Sequence, residues 1–322
     1  MSRHLHVTDR LITARPPRVV VAEANEVLRD ALARFLEKSY ETFTAATSDE
    51  LLSVLGRLGG AALVMCDTEL KPVGGVACVR MARARCPLAK YALLTRRKVE
   101  ALLPELRRHG LYNVLIKSTP LNFREFGLYV ENLIAPQNAF GLRRYLHPPA
   151  EIHEIEIQNR EDRARAMRAV TDFFGRYRPY ESDVGEIRLA CEELLNNAIY
   201  HAFRGPTGAR KYPLGTFQSL DTGEDIIVYY GRDDSNLGCA VRDNQGTLEV
   251  DQLLARFDRQ ITLEGLFDES GRGLHLTWNL ADQMIVNIYP GVRTEIILLF
   301  SHRSAPASRP LLVNVVEPVQ VV

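Results

Sequence analysis

Between Arg18 and Ile134 the chain alternates short apolar runs with amphipathic stretches. The first run, VVVA at 19–22, is followed by Val27, Leu28, Ala31, Leu32, Phe35 and Leu36 at helical spacing. Further runs stand at 43–46, 61–66, 91–94 and 112–116, each short, often β-branched and followed by a helical pattern. Five such units predict an α/β domain over 18–134 with a five-stranded, parallel, doubly wound sheet, whose functional groups gather at the carboxyl ends of the strands. Residues 135–150 hold Pro136, Gly141 and the pair Pro148-Pro149 with little periodicity, and read as a linker. Beyond it the pattern predicts a strand at Ile152–Ile157, helices at about 161–176 and 183–203, and strands near 225–230 and 237–242. An irregular segment to Gly271, a helix to Ala281 and two closing strands complete it. That mixed order predicts an α+β sandwich over 151–300. Residues 1–17 read as a flexible N-terminal segment, and 301–322, with three prolines and no partner element, as a mobile C-terminal tail.

The length of 322 residues fits about two domains. Forty basic and forty acidic residues cancel, so nothing global draws the chain to nucleic acid or anionic lipid. The longest apolar runs, 61–66 and 296–300, fall far short of the roughly 18 to 20 residues that cross a bilayer, and residues 1–17 lack a secretory signal's apolar core. A cytoplasmic protein is expected. The five cysteines are odd in number and show no C-x-x-C spacing, which argues against disulfides and zinc.

Four polar residues fall at predicted strand ends: Glu23, Asp67, Thr95 and Lys117. A carboxylate that accepts a phosphoryl group needs a cation and a hydroxyl for the new oxygens, and Lys117 and Thr95 supply them. With LVMCD at 63–67, Gly75 eight residues on, LLT at 93–95 and IKS around Lys117, this stretch resembles the receiver domain of bacterial response regulators. The resemblance implies Asp67 as phosphoacceptor, Thr95 and Lys117 as switch residues, Glu23 and Asp67 as weak Mg²⁺ ligands, and an upstream sensor histidine kinase. Where that family has two adjacent Asp, this chain has Glu23 followed by Ala24, and Ser118 stands in place of a common Pro. Phosphorylation at Asp67 and a degenerate receiver used as an interaction surface both remain open.

In the second half, E186-IRLACEELLNNAIYHAF sets Glu193 and Asn197 four apart on one helix face. A carboxylate beside an amide oxygen suits ATP-dependent phosphoryl transfer, although E-x-x-x-N alone is a weak signal. VRDNQG at 241–246 ends a strand with Asp243, SGRGLHL at 270–276 puts Gly271, Arg272 and Gly273 at the mouth of a helix, and GVRTE at 291–295 places Thr294 at a strand start. In this order the segments resemble the N, G1 and G2 boxes of the gyrase and histidine-kinase ATPase superfamily over about 151–300. EELLNNAIYHAF resembles the anti-sigma-factor serine kinases more closely.

That resemblance implies Glu193 as general base and Asn197 as the Mg²⁺ ligand with ATP. It implies Asp243 as adenine reader, Gly271 and Gly273 as the phosphate-covering lid, Gly246 and Arg272 as further nucleotide-binding positions, and Thr294 as support for the adenine. Arg165 or Arg168 would be candidates for the γ-phosphate. Gln245 and Thr247 stand where the family has glycines, which puts lid flexibility in question, and the segment 204–225 is longer than usual and reads as a surface loop. No dimerising hairpin with a phosphoacceptor histidine is found ahead of the domain, His147 and His153 are poor candidates for that role, and His201 reads as a rim or core residue rather than a ligand. The expected protein is a partner-switching regulator and anti-sigma factor, its receiver-like input controlling an ATP- and Mg²⁺-dependent serine kinase. Its partners would be a sigma factor and a small anti-sigma antagonist, with a homodimer possible. The alternative is a non-catalytic adaptor.

Overall fold

The computed structural model describes residues 15–177, 181–261, 272–301 and 309–317. The first unit forms the parallel sheet that its apolar runs predict. Strands β1 (Arg18–Ala22), β2 (Glu41–Ala45), β3 (Leu63–Asp67), β4 (Lys90–Thr95) and β5 (Val114–Ile116) lie in the order β2-β1-β3-β4-β5. The central strands are covered on both faces, which is why VVVA and LVMCD read as continuous apolar runs. Helices α1 (Glu26–Leu36), α2 (Ser48–Leu58), α3 (Gly75–Arg85), α4 (Leu103–Arg108) and α5 (Phe123–Ile134) complete it. Asn25, Thr47 and Asn122 cap α1, α2 and α5 by accepting a backbone N–H in the first turn.

The second unit is a six-stranded mixed sheet with helices on one face. Its strands are β6 (Glu151–Ile157), β7 (Ile226–Arg232), β8 (Asn236–Asp243), β9 (Gln283–Tyr289), β10 (Arg293–Ser301) and β11 (Leu312–Val315), in the order β11-β9-β10-β8-β7-β6. Helices α6 (Arg160–Gly175), α7 (Glu181–Asn197), α8 (Val250–Ile261) and α9 (Arg272–Leu280) belong to this unit. Helix α7 buries Ile187, Cys191, Leu194 and Leu195. The α+β class follows directly.

Three local readings are corrected. The helix expected over 183–203 is α-helical only to Asn197 and widens into a π-turn over Ala198–Ala202. The segment expected to be irregular holds α8, with Leu253, Leu254 and Phe257 buried and Phe257 stacked on Trp278 of α9 at 5.1 Å. The tail expected to lack a partner supplies β11, parallel to β9. Just before it, Leu311 and Val114 exchange backbone hydrogen bonds of 2.8 and 3.1 Å, and Val313 N–H donates to Asn113 Oδ1 at 2.9 Å. The C-terminal segment therefore joins the edge of the first sheet to the edge of the second.

Residues 135–150 are folded against both units rather than loose. Leu142, Tyr145 and Leu146 share a buried cluster with Val130 and Leu133 of α5 and with Ile285, Ile297 and Leu299 of the second sheet. Elsewhere at the seam, Arg107 on α4 donates to Asp258 on α8 at 3.3 Å. Tyr129 on α5 donates to Glu125 at 2.6 Å, and Gln283 on β9 donates to the same carboxylate at 2.8 Å.

Candidate functional site

Two polar clusters occupy the positions the sequence singles out. In the first, parallel strand ends bring Glu23, Asp67, Thr95 and Lys117 together, all buried. Lys117 Nζ donates to Asp67 Oδ1 at 2.8 Å and to Glu23 Oε2 at 3.2 Å. Asp67 Oδ1 also accepts the Glu69 N–H at 3.1 Å. Thr95 Oγ1 accepts from Thr68 Oγ1 and from the Arg97 N–H, both at 3.0 Å. Burial pushes the Glu23 carboxyl up, against the pull of the Asn25 N–H and Lys117. Asn25 spends its side chain on capping α1 and Ala24 carries no ligand, so the donor set is two carboxylates that already share one lysine. That cluster is a poor fit for Mg²⁺. No group of three metal-ligating side chains occurs among the described residues.

The second cluster is built where α7, β8, β10 and α9 meet. Glu193 and Asn197 leave α7 on one face, both half-buried. Asn197 Nδ2 donates back to the Glu193 carbonyl at 2.7 Å, which fixes the amide and leaves its Oδ1 as the outward acceptor. Burial, then Glu192, raises the Glu193 carboxyl above its ordinary value. Gly273 of α9 approaches so closely that a Cβ there would stand 2.2 Å from Glu193 Oε2, so a larger residue would push that carboxylate aside.

Asp243 ends β8, paired with Thr294 of β10. Its Oδ1 accepts the N–H groups of Gln245 and Gly246 at 2.9 and 3.2 Å. Burial drives this carboxyl up to about 6, with those amides and Thr294 opposing. The Thr294 N–H and hydroxyl lie close enough to this carboxylate to favour its ionised form, although the buried hydroxyl meets it without good hydrogen-bond geometry. Asn197, Asp243 and Thr294 line one pocket, together with His201, Thr247 and Arg256.

The G1 substitutions change less than expected. Gly246, retained, is the residue that needs to be glycine: it sits at φ +62°, and a Cβ there would lie 2.1 Å from the Tyr289 carbonyl. Thr247 Oγ1 donates to the Ala202 carbonyl at 2.8 Å, tying the segment after Asp243 to the end of the π-turn. Arg165 pairs with Asp162 at 2.8 Å on an exposed helix face, and Arg168 is exposed as well. Neither lines the pocket. Gly271 and the side chain of Arg272 lie outside the described residues. His153 packs between Phe173 and Tyr230, and the five cysteines are buried free thiols. The sequence reading missed Arg204, Arg210 and Arg256 near His201, whose pKa is lowered to about 4 by burial first and by these three cations next.

No described helix is long and apolar enough to cross a membrane. Residues 157–299 match the family model of the histidine kinase-like ATPase domain. A search of curated proteins finds no match. Among solved structures, the chain is similar to a CheY-like response regulator receiver domain protein from Methanospirillum hungatei JF-1, at 20% identity over 39% of this chain and 99% of that one, TM-score 0.35. It is also similar to the signal receiver domain of an HD domain-containing protein from Pseudomonas fluorescens Pf-5, at 21% identity over 39% and 92%, TM-score 0.35. A receiver domain protein from Clostridium thermocellum gives 18% identity over 38% and 96%, TM-score 0.34. Residues 157–299 thus carry a histidine kinase-like ATPase domain, behind a unit whose strands run in the receiver order.

Proposed function

We propose that the protein is a partner-switching signalling regulator: an ATP-dependent serine kinase and anti-sigma factor under the control of its receiver-like unit. One observation carries the reading. Asn197, Asp243 and Thr294, from separate elements, line one pocket, and Glu193, one helical turn before Asn197 and against Gly273 of α9, stands beside it although it does not line it, which suits phosphoryl transfer from an adenine nucleotide. The ionised Asp243 offers Oδ2 to an exocyclic amine while its Oδ1 is held by two amides. The Thr294 hydroxyl, without a well-formed hydrogen bond of its own, supplies a second polar contact beside it. Asn197 Oδ1 is the group that would hold Mg²⁺ with the phosphates, and that ion would neutralise charge on the transferring phosphoryl group. Glu193, its basicity raised by burial, is placed to take the proton of an attacking serine hydroxyl as the new P–O bond forms and ADP leaves.

The partners in this reading are a sigma factor, held when the antagonist is phosphorylated, and a small antagonist protein whose serine is the acceptor. The receiver-like unit would bias that exchange through the α4–α8 seam, since α8 follows Asp243 directly and contributes Arg256 to the pocket. A sensor histidine kinase would act upstream through Asp67. The saturated Lys117 cluster favours a second reading for the input alone, in which the unit responds to docking rather than to phosphorylation.

Incubation with labelled ATP, Mg²⁺ and candidate antagonists tests the kinase. Glu193→Ala should cut serine phosphorylation by about 10²-fold or more, the usual contribution of a general base, while ATP still binds. Undiminished transfer in that variant would reject the base. ATP binding with no transfer by the unmodified chain would make the protein an adaptor.

A further inference from the structure

Two arginines, Arg204 and Arg256, line the pocket and a third, Arg210, lies next to them. Arg204 and Arg210 face each other across an isolated antiparallel bridge, closed by a tight turn in which the Gly205 N–H donates to the Ala209 carbonyl at 2.9 Å. Arg256 projects from α8, and both Arg204 and Arg256 line the pocket that holds Asn197, Asp243 and Thr294. The three act on one another and on His201 as like charges. Among the described residues no carboxylate forms an ion pair with any of them. Of the acids of the same insertion, Asp221 and Glu224 are spent on Lys211 at 2.6 and 2.5 Å, and Asp225 faces Arg242 at 3.9 Å.

Such a gathering is unfavourable by itself. Guanidinium groups remain charged at any working pH, and half-burying one among its own kind weakens solvation while adding repulsion. Burial is the main cause, and Arg210 and Arg204 the next, of a lowered pKa at Arg256. His201, held neutral in their midst, adds no further cation. An anion seated between them would offset both the repulsion and the lost solvation with direct attraction, and Arg forks suit phosphate oxygens in particular.

Resting on the reading of this pocket as an adenine-nucleotide site, we propose that Arg204, Arg210 and Arg256 bind the phosphate chain of the nucleotide. They would do so independently of the Asn197-held metal and the glycines at the start of α9. The insertion at 204–225 is then part of the ligand site, where the sequence alone suggests a surface loop.

Calorimetry on the full chain with adenosine, ATP and sodium tripolyphosphate tests this without turnover. Arg204→Gln with Arg256→Gln should weaken ATP and tripolyphosphate by about tenfold or more, as expected for lost charge-assisted hydrogen bonds, and leave adenosine within about twofold. Arg256→Lys, which keeps the charge, should retain most of the affinity. The double variant should also show a shallower dependence of ATP affinity on salt. Arg204 is exposed, so its single variant reads out even if the double variant folds poorly. Unchanged ATP and tripolyphosphate binding in the variants overturns the proposal. Tripolyphosphate binding that needs the arginines, with no binding of adenosine and no gain for ATP, keeps the anion site and overturns the nucleotide reading instead.

Discussion

The two polar clusters are opposites in how far they are satisfied. Around Asp67 every group has a partner: Lys117 spans both carboxylates, Thr95 accepts twice, and all four side chains are at most 8% exposed. Around Asp243 the buried Thr294 hydroxyl makes no well-formed hydrogen bond, and Arg204, Arg210 and Arg256 have no ion-pair partner among the described residues. A saturated buried cluster stabilises one conformation, whereas an unsatisfied one stores free energy that only a ligand releases. The first cluster is thus organised as a latch and the second as a receptor, although both consist of residues suited to phosphoryl chemistry.

The strongest way to break that contrast is Lys117→Met. Removing the lysine leaves Glu23 and Asp67 facing each other, buried and uncompensated, which should cost about 3–5 kcal/mol at neutral pH. Urea denaturation followed separately by first-unit and second-unit probes would read it. A loss below about 1 kcal/mol would show that water reaches the cluster and that the latch is looser than its burial implies.

The sequence announced these clusters unequally, and the reasons are physical. Parallel strands buried on both faces read as unbroken apolar runs, so the first unit and its four strand-end groups were legible with boundaries within about two residues. Strand β11 was not legible. It spans four residues, and Asn314 stands in its middle as a buried polar group that pairs with Asn287 Oδ1 at 2.8 Å, interrupting the apolar signal. Helix α8 could have been found, because Val250, Leu253, Leu254 and Phe257 keep helical spacing. The expectation of an irregular lid concealed it. Arg204, Arg210 and Arg256 carry no local pattern at all, since only the fold of the insertion against α8 assembles them.

Acid should sharpen the receptor side of the comparison. The Asp243 carboxyl is raised from an ordinary 3.8 to about 6, so it becomes protonated as pH falls through about 6. An amine donor needs the ionised form, and ATP affinity should then drop about tenfold per unit of pH below that point. For stability the sign is opposite. A carboxyl whose pKa is raised on folding favours the native state below its unfolded pKa, and this contribution is lost as pH rises through about 6. Affinity measured from pH 5 to 8 in the wild type and in Asp243→Asn checks the assignment. A pH slope that persists in the variant would place the titrating group elsewhere.

The smallest expected effect concerns the seam between latch and receptor. Arg107 and Asp258 are 39% and 18% exposed at the side chain, so their pair is partly screened and contributes no more than about 1 kcal/mol to stability. Its importance lies in where it sits, because α4 precedes β5, which delivers Lys117, and α8 delivers Arg256. If the two clusters communicate through this contact, Arg107→Ala should leave overall stability nearly unchanged while shifting ATP affinity by a few-fold. Asp258→Ala should shift it the same way, and the double variant should go little further than either single. Fully additive shifts would mean that each residue acts on its own helix, and that the receiver-like unit reaches the nucleotide pocket through the α5–β9 contacts or the β5–β11 junction instead.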